Sequence, residues 1–247
     1  MNAFKALYIK ELKDNRSIFL FVLMAALALH AYGYTRGVEG ILPTPYIALA
    51  FLPVVAVFVL PFLLIHAFSQ EFKGQTHFQL LSLPVSRASI VITKFLAVLS
   101  LGALLYVLAT GTMHLLYIRL GKLSAPGMHM PGVAGTDLWL IVGQWYFGIL
   151  LLLMGIATAM SGLKLIVHRF QNFAMTLFFL GSLYLYIRLL AGIFALNLLA
   201  SHNIEITTGS GGLQQVPLFL PSLLFTLLFS LFFVCLGIFL YERYAEA

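Results

Sequence analysis

FSQEFKGQTHFQLLSLPVSRASIVITK, residues 68–94, is a polar interruption between two long apolar segments. Phe68, Phe72 and Phe78 alternate here with Glu71, Lys73, Gln75 and Gln79. Such a stretch offers apolar groups to a lipid interface and polar ones to water or a partner. It reads as a surface element held between two membrane spans, and whatever the chain does at that surface passes through it.

Composition fixes the class. Of 247 residues, 62% are hydrophobic and only 9% charged, with a mean hydropathy of +1.02, whereas charged residues make up about a quarter of an ordinary soluble domain. The expectation is an all-α integral membrane protein, a single domain over residues 1–247 with room for roughly six spans of about 20 residues and no space for a folded soluble domain. The net charge of +6 is accounted for by basic residues bordering spans, with no dense basic run, so nucleic acid is not an expected partner. Cys235 is the only cysteine, which excludes an internal disulfide and a cysteine-based zinc site; within its apolar segment it reads as a small buried hydrophobe.

The chain in order gives six predicted spans. Residues 1–16 place Phe4, Leu7, Tyr8 and Leu12 at helical spacing, with Lys5, Lys10, Lys13 and Arg16 mostly on other faces, the pattern of an amphipathic helix lying in the membrane interface. The spans follow at about 17–34, 46–67, 90–118, 138–160, 173–199 and 217–241. The first is longer than a signal-peptide core, which favours a retained span. Pro53 and Pro61 lie inside the second and predict a kinked or locally unwound helix. Between the fifth and sixth, residues 200–216 are too few for a domain, and residues 192–212 are open to reading as loop, re-entrant or interfacial element.

Six spans place both termini on one side, and the basic residues say which. The termini and the segments 68–94 and 161–171 carry Lys5, Lys10, Lys13, Arg16, Lys73, Arg87, Lys94, Lys164, Arg169 and Arg243; the opposite loops carry Arg36, Arg119 and Lys122, ten against three. By the positive-inside rule both termini and residues 68–94 are cytoplasmic, and the expected location is the cytoplasmic (inner) membrane.

Motifs narrow the chemistry. No GxxxxGK[ST] phosphate-binding loop and no HExxH is present, so nucleotide energy, if used, is captured by another polypeptide. No Asp or Glu lies deep in a predicted span, which weighs against a proton-coupled carrier. His30 and His114 fall near the outer ends of spans one and three, as two axial haem ligands would, although span-end histidines are also ordinary interfacial residues. Met128, His129 and Met130 are soft enough for copper, yet a Gly/Pro-rich loop defines no geometry for it, and no metal site is assigned. Arg188 lies near the middle of span five, where a permanent charge must meet water, a partner helix or carbonyls, or else tie helices together. Gly155 and Ala159, with Gly148 one heptad earlier, form a small-residue face suited to close packing within or between subunits.

Glu71, Gly74, Thr76, Leu80, Leu81, then Leu83-Pro84-Val85-Ser86-Arg87 and the downstream Lys94 resemble the segment after span two in the ABC-2 type permease family of ABC transporters. The six-span plan and the basic amphipathic start agree with that family over nearly the whole length. The resemblance implies a permease subunit that pairs with another copy or a paralogous permease and with separate ATPase subunits on the cytoplasmic face. It also implies a cytoplasmic coupling helix between spans two and three, carried by Glu71, Gly74, Thr76, Phe78, Leu80, Leu81, Pro84 and Arg87. Gly74 is suited to end one helical piece and Pro84 to stop a second before Ser86 or Ser89 caps span three; Arg87 and Lys94 then border lipid headgroups or meet acidic groups on the ATPase. On this reading ATP and Mg bind the partner, this chain holds no cofactor and no catalytic residue, and the transport is export. An ion-coupled carrier or channel is the alternative, a haem-binding redox subunit the third reading.

Overall fold

The computed structural model describes residues 3–36, 44–73, 86–123, 136–167, 169–195, 202–207, 213–218 and 220–244. In chain order these form α1 (Ala3–Asp14), α2 (Arg16–Arg36), α3 (Thr44–Lys73), α4 (Arg87–Leu123), α5 (Thr136–Leu163), α6 (Gln171–Ala195), β1 (His202–Thr207), β2 (Leu213–Leu218) and α7 (Leu220–Tyr244). Among the described residues four helices carry apolar windows long enough to cross a membrane, within α4, α5, α6 and α7, and the bent pair α1–α2 supplies a fifth candidate. The protein is therefore a multi-pass membrane protein.

The first bend sits at Asn15, where α1 and α2 meet at 63°. The Asn15 side chain donates to the Glu11 carbonyl at 3.0 Å, and its own carbonyl accepts from Phe19 N–H at 3.0 Å. The buried amide thus satisfies polar backbone at the break. In α3 the helix runs unbroken through Pro53 and Pro61, so the expected local unwinding is absent. A proline removes a single N–H, and packed neighbours in a membrane protein tolerate that loss.

Two seams organise the core. Along α5 and α7, Gly148 faces Leu223, Gly155 faces Ser230, and Gly162 faces Leu240 and Gly237. Both series advance by seven and rise together, so the two helices run parallel with the heptad register of a shallow left-handed crossing. A Cβ on Gly155 would lie 2.7 Å from the Ser230 carbonyl, and one on Gly237 would lie 2.7 Å from the Thr158 carbonyl. Ser230 Oγ also donates to the Leu151 carbonyl at 2.5 Å across this seam. The second seam surrounds Gly102 of α4, where Leu60 of α3 and Leu150 of α5 close in on the missing side chain and the Tyr146 hydroxyl donates to the Gly102 carbonyl at 2.9 Å.

The structure departs from the sequence expectation in its secondary structure and its exposure as well. The chain is not wholly helical: β1 and β2 form an antiparallel hairpin with His202 opposite Leu218 and Thr207 opposite Leu213. Pro217, expected to open the last span, lies in β2 opposite Asn203, and α7 starts at Leu220; a two-stranded sheet has only edges, where a residue without an N–H is accepted. Cys235, expected to be buried, is exposed on α7, because α7 spends its small residues and Phe229 and Phe233 on α5 and leaves the opposite face outward.

Candidate functional site

A buried ion pair joins α1 to α4 at the end of the bundle that the basic residues mark. Lys94 of α4 reaches both carboxylate oxygens of Glu11 of α1, at 2.9 and 3.0 Å, and the two side chains are 1% and 2% exposed. Three residues further along α1 toward its start, the Tyr8 hydroxyl donates to Ser100 Oγ at 2.9 Å. The Lys94 ammonium also stands 5.5 Å from the centre of the Phe68 ring at the end of α3, an arrangement that attracts a cation more strongly when water is excluded. Phe68 in turn packs on Tyr241 of α7, centroids 6.1 Å apart. One charged pair and two rings thus join α1, α3, α4 and α7.

This placement corrects the expectation for Lys94. It meets neither lipid headgroups nor acidic groups of another protein, because Glu11 has taken it into the chain's own interior. Two ions leave water only where the partner and the remaining hydrogen bonds are in place, and the bidentate contact meets that requirement.

The start of α4 is fixed independently. Ser86 caps it: the Ser89 N–H donates to Ser86 Oγ at 3.2 Å, the geometry of an N-cap bonding the third helical residue. Arg87 donates to the backbone carbonyl of Glu242 in the last turn of α7, where unsatisfied carbonyls attract a cation. Nearby, Lys164 at the end of α5 donates to Ser69 Oγ of α3 at 3.1 Å, and Gln171 at the start of α6 donates to the Lys164 carbonyl at 3.3 Å. Between them Phe170 takes a left-handed backbone conformation, φ 56°.

Of the other residues singled out in the sequence, Glu71 lies in the last turn of α3 with its side chain outside the described set. Gly74, Thr76, Phe78, Leu80, Leu81 and Pro84 fall outside the described residues. The structure does place what borders them, Phe68 and Ser69 before and Ser86, Arg87 and Lys94 after. Gly155 and Ala159 are both buried; Gly155 packs on Ser230 of the same chain, and Ala159 joins a cluster with Ile156, Phe229 and Phe233.

Arg188 stands apart from this end. It is exposed on α6, its Nε donating to the Tyr184 hydroxyl at 3.0 Å, with the guanidinium 5.6 Å from the Tyr184 ring centre. α6 is the least embedded of the spanning helices: of its described residues only Ser182 is buried. Its inner face meets α7 through Tyr186, which stacks on Phe225 at 5.7 Å and shares a 2.8 Å hydrogen bond with Thr226. His30 is buried in α2, while the side chain of His114 and residues Met128, His129 and Met130 lie outside the described set. Among the described residues no three His, Cys, Asp or Glu converge as metal ligands.

Sequence reasoning missed the Glu11–Lys94 pair. Lys94 has an adequate local explanation as a basic residue at a loop border, and its separation of 83 positions from Glu11 leaves no periodic trace. Residues 10–179 match the family model described as ABC-2 family transporter protein. No curated protein matches the chain.

Proposed function

The chain belongs to the ABC-2 family of transporter proteins, and from that premise we propose that it is the permease subunit of an ATP-driven exporter. Separate ATPase subunits bind ATP and Mg, and this chain passes their movement to the membrane helices. The observation that carries the mechanism is the anchoring of both flanks of residues 74–85. Before the segment, Phe68 is packed on Tyr241 and beneath Lys94; after it, Arg87 holds α7 and Lys94 holds α1. A force applied to the segment by a docked ATPase therefore reaches α1, α3, α4 and α7 together. In this reading Glu71, Gly74, Thr76, Phe78, Leu80, Leu81 and Pro84 form the docking element, and Arg87 links it to α7.

The further parts of the proposal are a six-span topology with α3 as a crossing, α1 lying in the interface, and both termini on the cytoplasmic side of the inner membrane. α3 has 30 residues, about 45 Å at 1.5 Å per residue, enough to cross a hydrocarbon core of about 30 Å. A second copy or a paralogous permease completes the transporter. Arg188 supports that arrangement: a guanidinium facing hydrocarbon costs at least about 2.5–3.5 kcal/mol, so its outward position on α6 is suited to a water-filled path or a neighbouring subunit. The same observation favours, as the second reading, an ion-coupled carrier or channel built around Arg188.

Affinity purification from native membranes separates the two. The expected result is a stoichiometric Walker-motif ATPase, and substrate movement in proteoliposomes that requires ATP. Transport by this chain without an ATPase, driven by an ion gradient, would overturn the exporter reading.

A further inference from the structure

Toward its basic end α6 stands off from the bundle and leaves a cavity of about 240 Å³ against α3 and α5. Its walls include Pro61, Phe62 and Ile65 of α3, Ala157 and Met160 of α5, and Met175 of α6. The one hydroxyl among the described lining residues, Thr176, is turned to its own helix and donates to the Asn172 carbonyl at 2.9 Å. Water needs two to four polar partners to settle in such a space, and an apolar cavity of about 150 Å³ stays dry and takes benzene instead. The occupant this cavity selects is hydrocarbon, and at this depth the surrounding source of hydrocarbon is a lipid tail.

The charge at the mouth narrows the choice. Lys164 follows the wall residue Met160 by four positions just past the end of α5, and Arg169 precedes Met175 by six just before the start of α6, so both cations lie on the basic-end side of the cavity. Lys164 uses one ammonium proton on Ser69 and has others to give. Arg169 is exposed, and no carboxylate pairs with either cation among the described residues. A dry slot for one chain below two cations is complementary to a lipid with a net negative headgroup.

We propose that this cavity seats one acyl chain of an anionic phospholipid from the leaflet at the basic end of the bundle, with its phosphate held by Lys164 and Arg169. The site does not depend on what the transporter carries. It requires only the membrane setting and the side chains that line it.

The test uses the full chain reconstituted in nanodiscs of phosphatidylcholine containing phosphatidylglycerol, followed by release and native mass spectrometry to count retained lipids. The expected result is one phosphatidylglycerol kept per chain, with a preference over phosphatidylcholine on the order of tenfold or more, as two cations near an anionic headgroup supply. Lys164→Gln combined with Arg169→Gln should abolish the preference while a lipid of either kind is still retained. Ala157→Phe should fill the cavity and remove the retained lipid; Met175→Trp, on the less tightly packed α6 wall, is the second filling variant if Ala157→Phe does not fold. Equal retention of the two lipids by the unaltered chain would overturn the proposal. So would undiminished retention in a folded filling variant, or a cross-link from a cysteine at Met175 to a second copy of the chain.

Discussion

Replacing Lys94 by Met keeps the length of the side chain and removes its charge, leaving the Glu11 carboxylate 2% exposed without its bidentate partner and with Lys10 at 4.0 Å as the remaining cation. Breaking a buried pair in this way costs up to about 3–5 kcal/mol, because the ion left behind stays desolvated, and the half-exposed Lys10 offsets only part of that for Glu11. That is between about two and three and a half powers of ten in the unfolding equilibrium. The loss of the ammonium above Phe68 adds up to about 2 kcal/mol in a water-excluded setting. Glu11→Leu strands Lys94 by the same logic. The double variant strands neither ion and should recover most of the stability, since a buried pair replaced by apolar groups of similar volume is often neutral. Reversible unfolding in mixed detergent micelles, followed by helical circular dichroism, measures all four corners of the cycle. Single variants that each cost under about 1 kcal/mol, with a double equal to their sum within about 0.5 kcal/mol, the range expected for independent sites, would refute a coupled buried pair.

Gly155→Ala should destabilise by about 1–3 kcal/mol, since the added methyl meets the Ser230 carbonyl at 2.7 Å, whereas Gly181→Ala, with nothing within 4 Å, should be neutral or slightly stabilising in the same unfolding assay. Arg188→Leu should leave membrane insertion and melting unchanged and remove at least tenfold of ATP-dependent transport or of permease association; unaltered transport and assembly would deny Arg188 a place at a path or subunit contact. Phe78→Asp or Leu81→Asp should reduce copurification of the ATPase by tenfold or more with normal insertion, and a full complex yield would remove the docking role. In a Cys235→Ala background, cysteines placed at Lys5 and at Ser210 should react with a membrane-impermeant maleimide from opposite sides; labelling from one side contradicts the six-span topology.

How much was legible depended on whether the signal was local. The predicted third span, 90–118, sits inside α4, and the sixth, from 217, is displaced only where Pro217 joins the hairpin, because apolar length in lipid is a property of contiguous residues. The cap at Ser86 was legible for the same reason. The hairpin had a signal that was passed over: Ile204 and Ile206 alternate with Asn203 and Glu205, and Thr-Gly-Ser-Gly-Gly follows at 208–212, the usual marks of a strand and its turn. Gly148 and Gly155 were seen as one face, but naming the partner required noticing that Leu223, Ser230 and Gly237 repeat with the same step. The contact of Lys94 is not legible, because a lysine at a span border satisfies the positive-inside rule whether it faces headgroups or a carboxylate. Only the approach of α1 to α4 distinguishes the two.

α5 and α7 run parallel, since the pairs 148 with 223, 155 with 230 and 162 with 237 rise together. α3 and α5 are parallel as well, because Leu60 meets Leu150 across Gly102 and Ser69 meets Lys164. α4 opposes them, as Lys94 stands at Phe68 while Gly102 stands at Leu60. Parallel neighbours joined through one intervening helix require that helix to return the chain to the starting side. α4 does so between α3 and α5, and α6, with an apolar window from Gln171 to Ile193, does so between α5 and α7. The end of α7 then belongs beside the start of α4 and the end of α3, and the Arg87–Glu242 and Phe68–Tyr241 contacts meet that requirement through different atoms. The arrangement explains why the ion pair belongs where it does. At that end the chain must hold α1 against a bundle whose other helices are already fixed by shape, and α1 has little apolar surface with which to do it, so Glu11 and Lys94 supply the attachment.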